Sequence, residues 1–264
     1  MVRHAIEFSF EMGENGMRLT GKVIIIGGGA GGSGEAVSRR LAAEGAHVAI
    51  GDFDFDGAER LAAEIGDKAS AHRFDLRDRA SITAMIESVA AVQGRLDGVH
   101  MIAGNPTAMP HDADLLALDF DIWQSQIDAH LYGYAQAAKT AIPLMTGGGS
   151  IVFTSSNSCR GVDVTRLGYQ TAKAGVETMT RHVARRYGKQ GIRCNTLSYG
   201  MILTERAKAG LPQKFIDAGL ANAWSPRLGK PDDVAGIATL LHSDDGEWIT
   251  GQVIDVNGGA LVRG

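Results

Sequence analysis

The sequence predicts an α/β fold in which one doubly wound parallel sheet is covered by helices on both faces. Three observations predict it. Short β-branched runs alternate with segments of helical period over the whole chain, which calls for a parallel sheet between two helical layers. The first of these runs, Val23 to Ile26, is apolar at every position and does not alternate with polar residues, as befits a strand buried on both faces. A glycine loop, Gly27-Gly28-Gly29-Ala30-Gly31-Gly32-Ser33-Gly34, joins the first run to the first helical segment. Right-handed crossovers then wind the sheet both ways from its centre. The expected architecture is a single Rossmann-type domain of about seven strands.

Val23 to Ile26 is the first predicted strand, and the helix behind the glycine loop runs to the stop at Gly45. His47 to Ile50 follows as the second strand, ending at Gly51-Asp52, and completes a βαβ unit. A helix over 57–65 leads to a strand over 69–74, closed by Asp75-Leu76. Ser81 is the expected cap of a helix with Ile82, Met85, Ile86 and Val89 on one face. Asp97 to Ala103 is the fourth strand, closed by Gly104-Asn105-Pro106. One long helix is predicted from Ile122 to about Leu144, then a strand from Ile151 to Thr154. The helix of Tyr169 runs to about Tyr187, and a strand follows from Ile192 to Leu197. Residues 204–226 carry only helical pieces. Pro231 opens a helix toward Leu241, with proline in its first turn, and Gln252 to Val256 is the last strand. Residues 1–16 have no clear period and lack the features of a signal peptide, so they read as an N-terminal extension to a domain over 17–264.

The composition narrows the function classes. The chain has 264 residues, 44% of them hydrophobic, and a formal net charge of −4. It contains no long basic run, which leaves nucleic acid and anionic membrane surfaces without electrostatic support as partners. No apolar stretch is long enough to predict a membrane helix. Cys159 and Cys194 are far apart and read as reduced thiols of a cytoplasmic protein. The eight histidines form no ligand spacing, so no metal site is expected.

Two motifs carry chemistry. Tyr169 and Lys173 lie four residues apart, on one face of a helix. An ammonium at ~4 Å and an effective dielectric of about 20 is worth roughly 4 kcal/mol, enough to lower a phenol by up to ~3 pKa units. Such a phenol would take a proton from an alcohol. The glycine loop opens a helix, where backbone N–H groups can hold a diphosphate; Glu35 after Gly34 excludes a P-loop. Asp52 lies 18 residues past Gly34, at a strand end where a carboxylate accepts both hydroxyls of an adenine ribose. It would repel a 2′-phosphate, and neither Gly31 nor Phe53 supplies a cation, so the unit favours NAD over NADP. A methyltransferase binding S-adenosylmethionine could also use such an acid, but has no use for the Tyr169/Lys173 pair.

In these motifs and their order, from about residue 18 to 262, the chain resembles the short-chain dehydrogenase/reductases of the common single-domain branch. The resemblance implies an NAD-dependent alcohol dehydrogenase or carbonyl reductase acting on a secondary alcohol or ketone. By position it makes Ser156, 13 residues before Tyr169, the catalytic serine beside Tyr169 and Lys173. It places Gly28, Gly32, Ser33, Gly34, Asp52, Asp75, Leu76, Ala103, Gly104, Gly200, Ile202 and Thr204 around the cofactor, with Tyr169 and Lys173. It also implies a flap over substrate at 204–226, where Leu211, Phe215, Ile216, Leu220 and Trp224 suggest a hydrophobic substrate or ordinary helix packing. A homo-oligomer is expected, a tetramer by resemblance. Four departures from the family pattern stand out. Gly27 stands for threonine, Met101-Ile102 for two asparagines, His130 for the asparagine of the proton relay, and Tyr199 for proline beside the nicotinamide. The asparagine acts through its main-chain carbonyl, so His130 is either neutral to the relay or adds its imidazole. Tyr199 either lines the substrate pocket or packs under the ring. The departures motivate an alternative, an NAD-binding regulatory protein on the same scaffold.

Overall fold

The computed structural model describes residues 17–161 and 163–262; the expected extension at 1–16 lies outside the described residues. Among the described residues seven strands form one parallel sheet, β1 (Val23–Gly27), β2 (His47–Asp52), β3 (Ala69–Arg73), β4 (Gly98–Met101), β5 (Gly149–Ser156), β6 (Ile192–Tyr199) and β7 (Val253–Val256). Their order is β3-β2-β1-β4-β5-β6-β7. The order reverses between β1 and β4, so the loops leaving these two strands diverge and open a crevice at the carboxyl edge.

The helices are α1 (Gly32–Ala43), α2 (Phe55–Ile65), α3 (Arg79–Gln93), α4 (Phe120–Ile127), α5 (Gly133–Ala141), α6 (Leu167–Tyr187), α7 (Glu205–Gly210), α8 (Gln213–Asn222) and α9 (Pro231–His242). Successive strand residues point to opposite faces, and both faces are buried. Val23 and Ile25 of β1 therefore join the core under α3, α5 and α6, while Ile24 and Ile26 join the core under α1 and α9. Ile151 and Phe153 of β5 go to the first core and Val152 to the second. Apolar runs without alternation are what this arrangement requires. No helix among the described residues is long and apolar enough to cross a membrane.

Two expectations need correction. Ser81 is not a helix cap. Asp78 takes that place and accepts from Ala80 N at 2.9 Å, while Ser81 Oγ accepts from Asp75 N at 3.0 Å. Aspartate and serine both cap well, and the turn after β3 starts the helix at the earlier of them. The long helix is not uniform either. Between α4 and α5 it widens into a π turn over Asp128–Tyr132, centred on His130.

His100 of β4 and His242 of α9 face each other inside the second core, ring centroids 5.6 Å apart, and neither ring has a hydrogen-bond partner among the described residues. Burial pushes His100 down to about 3 and holds His242 well below its ordinary value. Both are neutral in the folded chain. Below pH 6.5 the unfolded chain binds protons that the fold cannot, so stability is lost as pH falls through that value, by about 1.4 kcal/mol per pH unit for each ring. Lowering the pH from 7 to 5 should cut the melting temperature by at least about 8 °C, and His100→Leu should reduce the drop. Thermal unfolding at the two pH values checks this.

Candidate active site

β5 delivers Ser156 to the carboxyl edge, in register with Tyr199 of β6. Its backbone is extended and its Oγ accepts from Ser158 N at 3.2 Å and Ser158 Oγ at 3.0 Å. The loop behind it is anchored by Arg160. That guanidinium bonds Glu177 Oε1 on α6 at 3.1 Å and reaches Asp255 on β7 and Ser198 on β6. Glu177 also accepts from Ser155 Oγ at 2.9 Å. A charge network thus ties β5, β6, β7 and α6 together immediately beneath Ser156.

α6 brings Tyr169 against Ser156 and sets Lys173 one turn further on. Burial pushes the Tyr169 phenol up, and its hydrogen bond with Ser156 pulls it back down. Burial also lowers the Lys173 ammonium to about 7. The spacing of Tyr169 and Lys173 alone predicts a net lowering of the phenol. Desolvation overturns it, since it acts on both groups and removes much of the positive charge at neutral pH. Lys173 Nζ lies 5.7 Å from the Tyr169 ring centroid and donates to Thr154 O at 2.7 Å and to the Tyr134 hydroxyl at 3.2 Å. Tyr134 in turn donates to Ala103 O at 3.1 Å.

His130 is buried on the other side of Tyr169, its ring edge-on at 4.9 Å. Its Nε2 accepts from Asn105 N at 3.2 Å, which places the proton on Nδ1. Burial and the nearby Lys173 hold it well below its ordinary pKa, so the imidazole is neutral at pH 7. The π turn is a common device at functional sites. Here it carries His130 to the Asn105 amide and the edge of Tyr169.

The glycine loop lies beside this group. Ala103 closes on it at the switch point: Ala103 N donates to Gly27 O at 2.8 Å, and a Cβ on Gly28 (φ +87°) would stand 2.5 Å from Ala103 N. A Cβ on Gly34 would stand 1.8 Å from Gly28 O, so the first turn of α1 packs on the loop without side chains. Across the crevice, Thr204 Cγ2 approaches the Cβ position of Gly32 at 3.1 Å, while its hydroxyl caps α7. Ser33 lies in the first turn of α1, and Gly104 is exposed at the mouth of the crevice. Gly200 packs on Asn257, and Ile202 bridges to Gly229.

Asp52 ends β2 half-exposed, and its carboxylate accepts from Ala30 N at 3.0 Å and Asp54 N at 3.1 Å. No cation pairs with it among the described residues. Asp75 is held below its ordinary range by Arg77, which it binds at 3.0 Å. Leu76 is buried, and both its carbonyl and its side chain lie against Gly133.

The departures other than His130 are matters of packing. Met101 Sδ lies 2.9 Å from where a Cβ on Gly27 would stand, so the methionine fills the space of the missing side chain. Ile102 and Tyr199 both pack on the core under α1 and α9. The Tyr199 hydroxyl accepts from Thr154 Oγ1 at 3.5 Å.

A sequence profile of the family described as Enoyl-(Acyl carrier protein) reductase matches residues 28–260. The chain is 34% identical to the 7alpha-hydroxysteroid dehydrogenase of Bacteroides fragilis over 93% of its own length and 96% of the relative's. It is 32% identical to the meso-2,3-butanediol dehydrogenase of Serratia marcescens, with 92% and 96% covered. The chain belongs to the short-chain dehydrogenase/reductase family. Its fold matches a 7α-hydroxysteroid dehydrogenase of that family, solved with NADH and 7-oxo glycochenodeoxycholic acid, at a TM-score of 0.86 and 26% identity, covering 92% of this chain and 95% of the other. As a short-chain dehydrogenase/reductase it is an oxidoreductase.

Three further residues of this short-chain dehydrogenase/reductase's candidate site emerge only from the structure. Tyr134 lies four residues past His130 on the same helical rod, a spacing that could have flagged it. Glu177 lies at the same spacing past Lys173. Asp112 gave no local signal, because its partners are 56 and 57 residues away.

Proposed function

We propose that the chain is an NAD(H)-dependent dehydrogenase or reductase for hydrophobic secondary alcohols and ketones. The observation that carries this is the convergence of Ser156, Tyr169 and Lys173 beside the glycine loop, with Ser156 near enough to the Tyr169 phenol to lower its pKa. The crevice fits a dinucleotide. Glycines at 28, 32 and 34 leave room where a Cβ would clash, and Asp52 offers its carboxylate to a ribose diol without a neighbouring cation to attract a phosphate. The relative solved with NADH supports the same choice. When bound, the nicotinamide would accept or deliver the hydride at the carbinol carbon.

The chain's own residues then have separate tasks. Tyr169 takes the hydroxyl proton during oxidation and returns it during reduction. Ser156 hydrogen-bonds the reacting oxygen and stabilises its developing charge. Lys173 favours the phenolate. The His130 imidazole is neutral and committed to the Asn105 N–H, so its part is to position rather than to carry protons. Residues 204–226 form the flap. Neither α7 nor α8 buries a residue, and Leu211, Phe215, Leu220 and Trp224 are all exposed. Those apolar side chains do not pack into the core, which supports their use against an apolar substrate. The flap is hinged where Trp224 N and Ser225 N donate to Gly258 O, both at 2.9 Å.

Binding of NAD, NADP and S-adenosylmethionine, followed by an alcohol panel with NAD at alkaline pH, tests the reading. NAD should be preferred over NADP by at least about 100-fold in kcat/KM, since burying a phosphate against an unpaired carboxylate costs several kcal/mol. Asp52→Ala should remove most of that preference. Equal kcat/KM with the two cofactors would contradict the ribose argument, and NAD binding without turnover on any alcohol would favour a regulatory role.

A further inference from the structure

A helix begins with four N–H groups that lack intrahelical partners, and they are normally met by a capping side chain just before the first turn. α6 has no such cap. Arg166 stands at that position in the left-handed region, φ +61°, and its side chain makes no capping bond. The four donors go instead to a different part of the chain. Arg166 N donates to Asp112 O at 2.9 Å, and Leu167 N to Ala113 O at 3.2 Å. Gly168 N donates to Asp112 Oδ1 at 2.9 Å, and Tyr169 N to Asp112 Oδ2 at 2.7 Å. The first bond within the helix is Gln170 N to Arg166 O.

Asp112 is only 4% exposed, and no cation pairs with it among the described residues. A buried carboxylate without a counter-ion is costly, and its two donors at the helix N-terminus are its compensation. Its close fit shows in Gly168, where a Cβ would stand 3.3 Å from Asp112 Oδ1. Asp112 belongs to the connection between β4 and α4. The same connection carries Asn105, whose N–H is bonded to His130. One loop therefore holds both neighbours of the phenol, the backbone of Tyr169 itself and the ring that abuts it.

We propose that Asp112 is the positioning residue of the proton acceptor, a cap supplied from the β4–α4 loop that fixes where α6 begins and hence where the Tyr169 hydroxyl lies. This rests on Tyr169 being that acceptor. A carboxylate bonded to the Tyr169 N–H should also oppose the phenolate by like-charge repulsion. The other groups acting on Tyr169 are Ser156 and Arg166, which lower its pKa, Cys159, which raises it, Lys173 on the next turn, and the neutral His130. Removing the negative charge at the helix start should favour the phenolate.

The test uses full-length Asp112→Ala and Asp112→Asn beside wild type and Tyr169→Phe. In Asp112→Ala, kcat for a secondary alcohol should fall at least about tenfold, with KM within about threefold and the NAD dissociation constant within about twofold. Amide hydrogen exchange at Gly168 and Tyr169 should accelerate while that at Val176 does not. Asp112→Asn keeps one acceptor, so it should recover part of kcat, and the acid limb of its pH–rate profile should move to lower pH. Turnover within twofold of wild type in both variants, with an unchanged profile, would overturn the proposal. So would parallel loss of turnover, cofactor binding and melting temperature, because that marks a residue of general stability. If Tyr169→Phe keeps its turnover, the acceptor assignment itself fails, while the amide exchange still reports whether Asp112 caps α6.

Discussion

Tyr169→Phe should lower kcat for alcohol oxidation by about 10³-fold or more while NAD binds with an unchanged dissociation constant. The substitution removes one oxygen and leaves the ring, which packs edge-on against His130, in place. Neither the glycine loop nor Asp52 touches that oxygen in any bond described above. Binding and chemistry should therefore separate. The pH dependence should change as well. Burial holds the phenol above its ordinary pKa, so in wild type the oxidation rate should climb through the neutral and alkaline range as the phenolate forms. The climb should be absent in the phenylalanine variant. Steady-state kinetics over pH, with cofactor titration by fluorescence, measure both. Near-normal turnover in the variant would remove Tyr169 from the mechanism.

Gly34→Ala should be as damaging for a different reason. The added Cβ would stand 1.8 Å from Gly28 O and 3.0 Å from Gly29 Cα, and backbone cannot rotate away as a side chain could. Either α1 withdraws from the loop or the loop leaves Ala103. Overpacking typically costs 1–3 kcal/mol where neighbours can shift, so a backbone clash of this kind should cost about 3 kcal/mol or more. For a chain of this size that is a fall in melting temperature of roughly 6–12 °C. Cofactor binding should be lost even where the protein stays folded, because the same shift fills the space for a diphosphate. Calorimetry and NAD titration of the variant check the two effects. A variant that binds NAD normally would show that the loop relaxes more easily than its packing allows.

Much of this was legible in the sequence, and the reasons are local. Val23 to Ile26 is apolar at every position because both faces of β1 are buried, and that is visible without a structure. Tyr169 and Lys173 share a helix, and Ser156 ends the strand before it, so their meeting follows from chain order and helical spacing. Asp52 was legible because a strand end behind a glycine loop fixes its place. What was not legible depends on segments distant in sequence. The cap of α6 comes from Asp112, and nothing near Arg166 announces that its own side chain will not serve. The π turn at His130 is invisible because the residues on either side favour an ordinary helix. The sign of the Tyr169 shift was misjudged because desolvation depends on what surrounds the helix, whereas the attraction of Lys173 depends only on spacing. The cap at Asp78 was not legible either, because Asp78 and Ser81 are both good caps and only the turn after β3 decides where the helix starts.

The contact between Met101 and residue 27 joins two positions that look independent along the chain. A Cβ at 27 would stand 2.9 Å from the Met101 sulfur and 3.1 Å from the Phe74 ring, so β1 and β4 share one small volume of core at the switch point. Because the nearest atom is the end of a flexible thioether and not backbone, a larger residue at 27 would displace the methionine tip rather than part the strands. The two residues therefore vary as one unit of packing, and a change at either is best judged with the other in view.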